Sequence, residues 1–301
     1  MDKAPILEGR IIAAHGRHYT VELPDGSLRK CFPRGKKAGA VVGDRVRISP
    51  QGADEGAIDQ ILDRRNLLYR SDDMRTKQFA ANVDQLLIVV APEPMFSEDL
   101  LGRALVAAHS AGIDPVIVLN KIDLEAALPR ARDRLATLSK AGIHIIEVSA
   151  TDPEQVRATL SPLLQGRNSL LLGQSGMGKS SLLNILVPQA RAHTQEHSQA
   201  LGTGKHTTTS TRLYHLPGHG GDLIDSPGFQ AFGLYHLSAT DIEQGFPEFS
   251  AGVAHCRFYN CTHRHEPGCG VLAALARGDI PAERHELYKR ILAENEAQGR
   301  Y

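Results

Sequence analysis

The residues Gly173-Gln174-Ser175-Gly176-Met177-Gly178-Lys179-Ser180 fit G-x-x-x-x-G-K-[ST] without a mismatch. Glycines at these places let backbone N–H groups turn toward phosphate oxygens, Lys179 supplies a cation for the β and γ phosphates, and the Ser180 hydroxyl can ligate Mg²⁺. Ser181 continues the run and belongs to the same candidate phosphate-binding set. The phosphate loop does not choose a base. Asn120-Lys121-Ile122-Asp123 does, because a carboxylate at Asp123 can accept hydrogen bonds from the N1–H and 2-amino group of guanine; adenine has no such donor pair and would leave the acid unpaired. Asn120 would steady this loop and Lys121 lie against the ring. Ser149-Ala150 matches the short motif whose backbone contacts the guanine oxygen, and Asp225-Ser226-Pro227-Gly228 matches D-x-x-G. There Asp225 would reach Mg²⁺ through water and the Gly228 N–H would sense the γ-phosphate.

Between the phosphate loop and D-x-x-G lies Gly204-Lys205-His206-Thr207-Thr208-Thr209, with the position and threonines of a first switch loop. One threonine should complete the Mg²⁺ shell when GTP is bound. Spacing does not say which, and Thr208 is the candidate. The position after D-x-x-G, where Ras-like enzymes place a water-orienting glutamine, is Phe229, with Gln230 one residue late. Slow intrinsic hydrolysis is therefore expected. His206 is the candidate for positioning or deprotonating the water once a partner orders the loop; simple packing within the switch is an equal alternative.

These motifs need strands and helices to position them. From about residue 80, apolar strands at 83–90, 116–119, 144–148, 169–172, 213–216 and 222–224 alternate with helical patterns, the first capped by Ser97. Six such strands imply a parallel, doubly wound sheet with a nucleotide site at the strand ends. N-K-x-D and Ser-Ala precede the phosphate loop here, whereas in the Ras-like order they follow it. The sheet is circularly permuted, which puts the second switch beside the C-terminal segment and would pass its movement to residues 245–301. Upstream, short β-rich runs at 9–15, 18–23, 28–32, 44–48 and 57–62 suggest a small barrel. Past residue 245 there are no clear strands; a helix from Pro281 carries Leu287, Tyr288, Ile291 and Leu292 as an apolar stripe suited to core packing.

The chain has 301 residues and a formal net charge of zero, which conceals an uneven distribution. Residues 1–70 hold 13 Lys+Arg against 9 Asp+Glu, residues 71–245 hold 14 against 18, and the rest balance. The barrel's basic residues Arg29, Lys30, Arg34, Lys36, Lys37, Arg45 and Arg47, mixed with Tyr19 and Phe32, form either an RNA-binding face or a solvated surface. No apolar run is long enough to cross a bilayer and the start lacks a signal-peptide pattern, so a cytoplasmic protein without membrane contact is expected. Four cysteines are too few for a disulfide scaffold, but Cys256, Cys261 and Cys269 lie close together among histidines, which points to metal. Cys31 reads as a small packed side chain.

The order NKID, SA, GQSGMGKS, GKHTTT, DSPG, with a basic barrel before it and a Cys/His cluster after it, resembles the RsgA (YjeQ) family of small-ribosomal-subunit-dependent GTPases over nearly the whole chain. The resemblance implies an N-terminal OB-fold β-barrel over residues 1–70, a circularly permuted α/β P-loop GTPase domain over 71–240 and a C-terminal zinc-binding helical domain over 241–301. It further implies hydrolysis of GTP to GDP and phosphate with Mg²⁺, stimulation by the small ribosomal subunit during its late maturation, contact with rRNA, and a monomer. The family's zinc motif falls on Cys256, Cys261, His263 and Cys269, with His255 and His265 as neighbouring alternatives. Three thiolates and an imidazole suit a closed structural Zn²⁺ site. For a segment without an evident core, metal binding can supply about 10 kcal/mol of folding free energy. Two other readings remain: an RNA-binding assembly protein that uses GTP mainly as a structural ligand, and a permuted GTPase acting on a different RNA. An ATP-dependent kinase conflicts with NKID.

Overall fold

A computed structural model describes residues 6–34, 39–72, 75–190, 211–226 and 234–298. Strands β1 (Leu7–Ala14), β2 (Tyr19–Glu22), β3 (Leu28–Pro33), β4 (Arg45–Gln51) and β5 (Glu55–Ile61) come first. β1 pairs antiparallel with both β2 and β4, β2 with β3 and β4 with β5, while β3 and β5 run parallel, so the five strands close into a barrel. Alternation sets its inside: along β4, Val46 and Ile48 are buried while Arg45 and Arg47 are exposed. Ile11, Val21, Cys31 and Ile58 complete the filling. Burial pushes the Cys31 thiol up to about 11, so it packs as a neutral side chain.

The hairpin β6 (Leu67–Asp72) and β7 (Arg75–Ala81) was not expected. Residues 70–77 read Arg-Ser-Asp-Asp-Met-Arg-Thr-Lys, with no apolar alternation to reveal strands. There follow β8 (Gln85–Val90), α1 (Glu98–Ser110), β9 (Asp114–Leu119), α2 (Leu128–Lys140), β10 (His144–Glu147), α3 (Pro153–Leu164), β11 (Arg167–Leu172), α4 (Lys179–Leu186), β12 (Arg212–His215) and β13 (Gly221–Asp225). Their sheet order is β10-β9-β8-β11-β13-β12. All six residues of β8 are buried, as a central strand covered on both faces requires.

The expectation of six parallel strands is corrected. Five are parallel, but β12 runs antiparallel to β13. Only residues 216–220 join the two, with Leu216 N donating to Gly221 O at 2.9 Å, and so short a link cannot make a crossover. β12 also pairs with barrel strand β1 at Ala13 and Arg212, so barrel and core form one 11-stranded sheet.

The C-terminal part has helices α5 (Ala239–Gln244), α6 (Gly270–Arg277) and α7 (Ala282–Gln298). The stripe expected to pack in a core does so, and the segment expected to lack an evident core of its own has one. The rings of Phe246, Phe249 and Tyr288 meet at 5.1 to 5.4 Å between centroids, and Leu287, Ile291 and Leu292 are buried with them. Tyr288 stands too far in the sequence from Phe246 and Phe249 for a local pattern to join them. This core sits on α1, where a Cβ on Gly102 would fall 2.4 Å from Leu287 Cδ2. Arg103 of α1 seals the contact with two 2.9 Å bonds to Glu294. Among the described residues no helix is long and apolar enough to cross a membrane.

Candidate active site and metal centre

Loops leave the carboxyl ends of the parallel strands β10, β9, β11 and β13, with β8 lying between β9 and β11, and strand order reverses between β8 and β11. In open α/β sheets that crevice is where ligands bind. Gly178 ends the phosphate loop at φ 93°, and a Cβ there would fall 2.2 Å from the Asn120 amide nitrogen. Glycine is therefore required both by the left-handed backbone and by the close approach. Asn120 is fully buried; its Nδ2 donates to Met177 O at 2.9 Å and its Oδ1 accepts from Ala150 N at 3.1 Å. One side chain thus joins N-K-x-D, Ser-Ala and the phosphate loop.

Lys121 adopts φ 64° and donates from Nζ to Glu93 O at 2.8 Å. Ile122 lies half-buried beside it, and Asp123 is exposed at the mouth. The Ser149 hydroxyl donates to Asp123, and its N–H donates to Gln155 Oε1 at 2.9 Å. The Asp123 carboxylate is thereby oriented before any base arrives.

Helix α4 starts at Lys179, with Gly178 as its N-cap and no side chain covering its first N–H groups. Those donors and the positive end of the helix suit an anion. Lys179 Nζ donates to Gly173 O at 2.5 Å and Gln174 O at 2.9 Å. Burial pushes its pKa down, while the charge of Asp225 opposes the shift. A partly desolvated ammonium whose hydrogen bonds among the described residues go to neutral carbonyls would bond more strongly to phosphate oxygens. Gln174 Oε1 accepts from Ser97 N at 2.7 Å, pinning the phosphate loop to the start of α1. Met177 is buried, whereas Ser175, Gly176, Ser180 and Ser181 are exposed. Asp225 is buried at the end of β13.

The second cluster lies near the C-terminus. Ligand atoms of Cys256, Cys261, His263 and Cys269 lie within 4.8 Å of one another. Tetrahedral Zn²⁺ with bonds of about 2.3 Å needs sulfur separations of about 3.8 Å. Cys256 and Cys269 sulfurs are 3.9 Å apart, so the donor set fits such an ion. His255 and His265 are exposed and outside the group. Burial and the neighbouring thiols push the Cys261 thiol up to about 12, so cation binding must displace protons here. The Glu266 carboxylate accepts from the N–H groups of Thr262, Arg264 and His265, which shapes the loop. Tyr288 OH donates to Thr262 O at 3.1 Å.

The sequence pattern that defines the family described as RsgA GTPase matches residues 61–235. The chain belongs to the RsgA GTPase family. It is 69% identical over 294 residues, 98% of either chain, to a Bordetella pertussis protein named Small ribosomal subunit biogenesis GTPase RsgA, so the similarity runs from the barrel through the metal cluster. A Burkholderia pseudomallei protein of the same name is 59% identical over 95% of this chain and 92% of its own. YjeQ from Thermotoga maritima superposes with a TM-score of 0.72 at 30% identity, over 97% of this chain and 99% of its own. YloQ, described as a circularly permuted GTPase, superposes with a TM-score of 0.70 at 26% identity, over 98% and 97%. As an RsgA GTPase the chain is a GTP-hydrolysing enzyme, which implies guanine nucleotide and Mg²⁺.

Of the residues singled out in the sequence, the whole run 204–209 with His206 and Thr208, and also Pro227, Gly228, Phe229, Gln230, Lys36 and Lys37, lie outside the described residues. Of the others, the motif residues fall into two groups, one at the strand ends and one in the Cys/His loop, while the basic and aromatic residues between Tyr19 and Arg47 belong to the barrel. Sequence reasoning missed Gln155 and the Glu93 carbonyl at the first and Glu243 and His285 at the second, and it read Ser97 only as a helix cap and Tyr288 only as part of an apolar stripe. Apart from Gln155, which follows Ser149 closely, each lies far from the motif it supports, and no spacing rule marks these contacts.

Proposed function

We propose that this enzyme hydrolyses GTP to GDP and phosphate in response to the small ribosomal subunit during its late maturation. It would act as a cytoplasmic monomer, with residues 1–70, 71–240 and 241–301 as barrel, GTPase and zinc domains. The relatives' name and similarity over nearly the full length support this partner. The observation that carries the nucleotide assignment is Asn120, which binds the phosphate loop to the base-reading loops.

In this reading the backbone N–H groups of 173–180 and the Lys179 ammonium hold the phosphates, Ser180 and Thr208 ligate Mg²⁺, and Asp225 supports the ion through water. Asp123, held by Ser149, accepts from guanine. His206 positions the water. Phosphate leaves, the second switch around Gly228 relaxes, and the grip on the subunit loosens. Cys256, Cys261, His263 and Cys269 hold one structural Zn²⁺.

The barrel would meet rRNA through His15, His18, Phe32 and Lys30. His15 and His18 stack at 4.9 Å, and Lys30 lies 5.1 Å over the Phe32 ring. Lys30, Arg34 and Arg47 have acidic partners, but each basic side chain is about half exposed or more and phosphates can displace the acids.

The test is GTP and ATP turnover with small subunits, large subunits and free RNA. Stimulation of GTP turnover by small subunits alone is expected, and stimulation by none of them refutes the proposal. Full stimulated turnover in His206→Ala with normal GTP binding would remove that residue from the mechanism.

A further inference from the structure

His263 is gripped from three directions. Its Nδ1 lies 3.4 Å from Cys269 Sγ and 3.6 Å from Cys256 Sγ. Its Nε2 lies 2.7 Å from Glu243 Oε2, and its carbonyl accepts from His285 Nε2 at 2.7 Å. The backbone is left-handed, with φ 56°, and the side chain is 1% exposed. An ionised carboxylate can only accept, so the ring hydrogen sits on Nε2 and the Nδ1 lone pair faces the sulfurs. Proteins use this arrangement to fix the tautomer of a metal-binding imidazole and raise its basicity.

We propose that Glu243 is the outer-sphere carboxylate of the metal centre: it selects Nδ1 of His263 as the metal-binding nitrogen and fastens the cluster to α5. Glu243 precedes His263 by 20 residues and belongs to a different element. Its helix is fixed independently. Ser238 and Asp241 form a capping box at the start of α5, and Asn295 of α7 donates to Leu234 O and Leu237 O at 3.1 and 2.9 Å. The imidazole is therefore aimed by the helix that follows the D-x-x-G segment rather than by the cysteine loop that contains it. A residue that only filled space at this position would not need to accept a hydrogen bond, and that is where the two roles can be told apart.

The experiment uses the full chain and measures Zn²⁺ affinity by competition with a chromophoric chelator, with the visible absorption of the Co²⁺-loaded protein as a second readout. Glu243→Ala should bind Zn²⁺ about 10- to 100-fold more weakly and shift the Co²⁺ bands as the imidazole loosens. Glu243→Gln keeps an acceptor for Nε2–H but loses the charge, so its affinity should fall between. Asn295→Ala loosens the approach to α5 without touching His263 and should leave affinity unchanged. Wild-type affinity in Glu243→Ala overturns the proposal, and so does equal weakening by all three variants, which would show that affinity follows docking of α5. If Glu243→Ala fails to fold, Glu243→Gln decides alone: weaker binding supports the role and wild-type affinity overturns it. The proposal rests on the four-ligand reading of the cluster. Failure of that reading would appear as wild-type protein taking up no Zn²⁺, whereas failure of the Glu243 role alone would leave wild-type uptake intact.

Discussion

The nucleotide end and the metal end are each organised around one buried side chain, Asn120 in the first and His263 in the second, but their partners come from different kinds of places. Asn120 bonds to motif residues that leave the same end of parallel strands in one sheet. His263 is supported by Glu243 and His285, 20 and 22 residues away, on helices that pack around an irregular loop. A parallel sheet already brings its loops together, so short motifs there complete a site with few outside supports. A loop with no ladder to fix it needs side chains from elsewhere.

That contrast predicts how far damage spreads. The largest effect is expected for Lys179→Ala, which removes the cation facing the phosphates; GTP turnover should fall about 10²- to 10³-fold. Zinc content should not change. A variant that kept its turnover would remove Lys179 from the mechanism, and one that lost turnover yet still performed its cellular task would favour GTP as a structural ligand. Cys256→Ser should do the reverse. It should lose bound zinc and loosen residues 256–269, while α7 stays protected in hydrogen exchange because the Phe246, Phe249 and Tyr288 core does not need the metal. Exchange throughout α7, or loss of basal turnover, would mean that the two ends are less separate than they look. Asn120→Ala leaves Met177 O and Ala150 N without their partner, at about 1 to 3 kcal/mol, so GTP affinity should fall by about tenfold or more. Unchanged affinity would show that the sheet alone aligns the loops.

The same contrast explains what could be read from the residues. The phosphate loop, NKID, Ser-Ala and the sheet that carries them rest on local patterns, so their positions followed from spacing and periodicity. The direction of β12 did not, because an apolar run has no polarity until the length of its connection is weighed. The β6–β7 hairpin was hidden by its charges. Of the C-terminal core only the stripe of Leu287, Tyr288, Ile291 and Leu292 could be read, because Phe246 and Phe249 become its neighbours only after α7 folds back onto α1. Glu243 has no sequence signal at all. It is one acid among 34 Asp and Glu residues until the fold places it against His263.

The smallest effect is expected where barrel and core meet, a third place built from distant groups. His215 of β12 lies 2.6 Å from Asp222 through Nδ1 and 2.8 Å from Glu22 of the barrel through Nε2, and Arg10 of β1 also pairs with Asp222. Burial alone would lower the His215 pKa, but its hydrogen bonds to Asp222 and Glu22, with their charges, outweigh burial and raise it. Both ring nitrogens can donate only in the imidazolium form. With the folded pKa above the unfolded value of about 6.5, this contribution to stability is present in full below that pH and is lost as pH rises through the folded pKa. The urea midpoint of wild type should therefore exceed that of His215→Gln most clearly at about pH 6, and the gap should narrow in alkaline buffer. His215 is half exposed, so solvent screens the pair and added salt should narrow the gap further. A gap that widens as pH rises would mean that neutral histidine is the form that holds the seam, and the charged bridge between Glu22 and Asp222 would have to be abandoned.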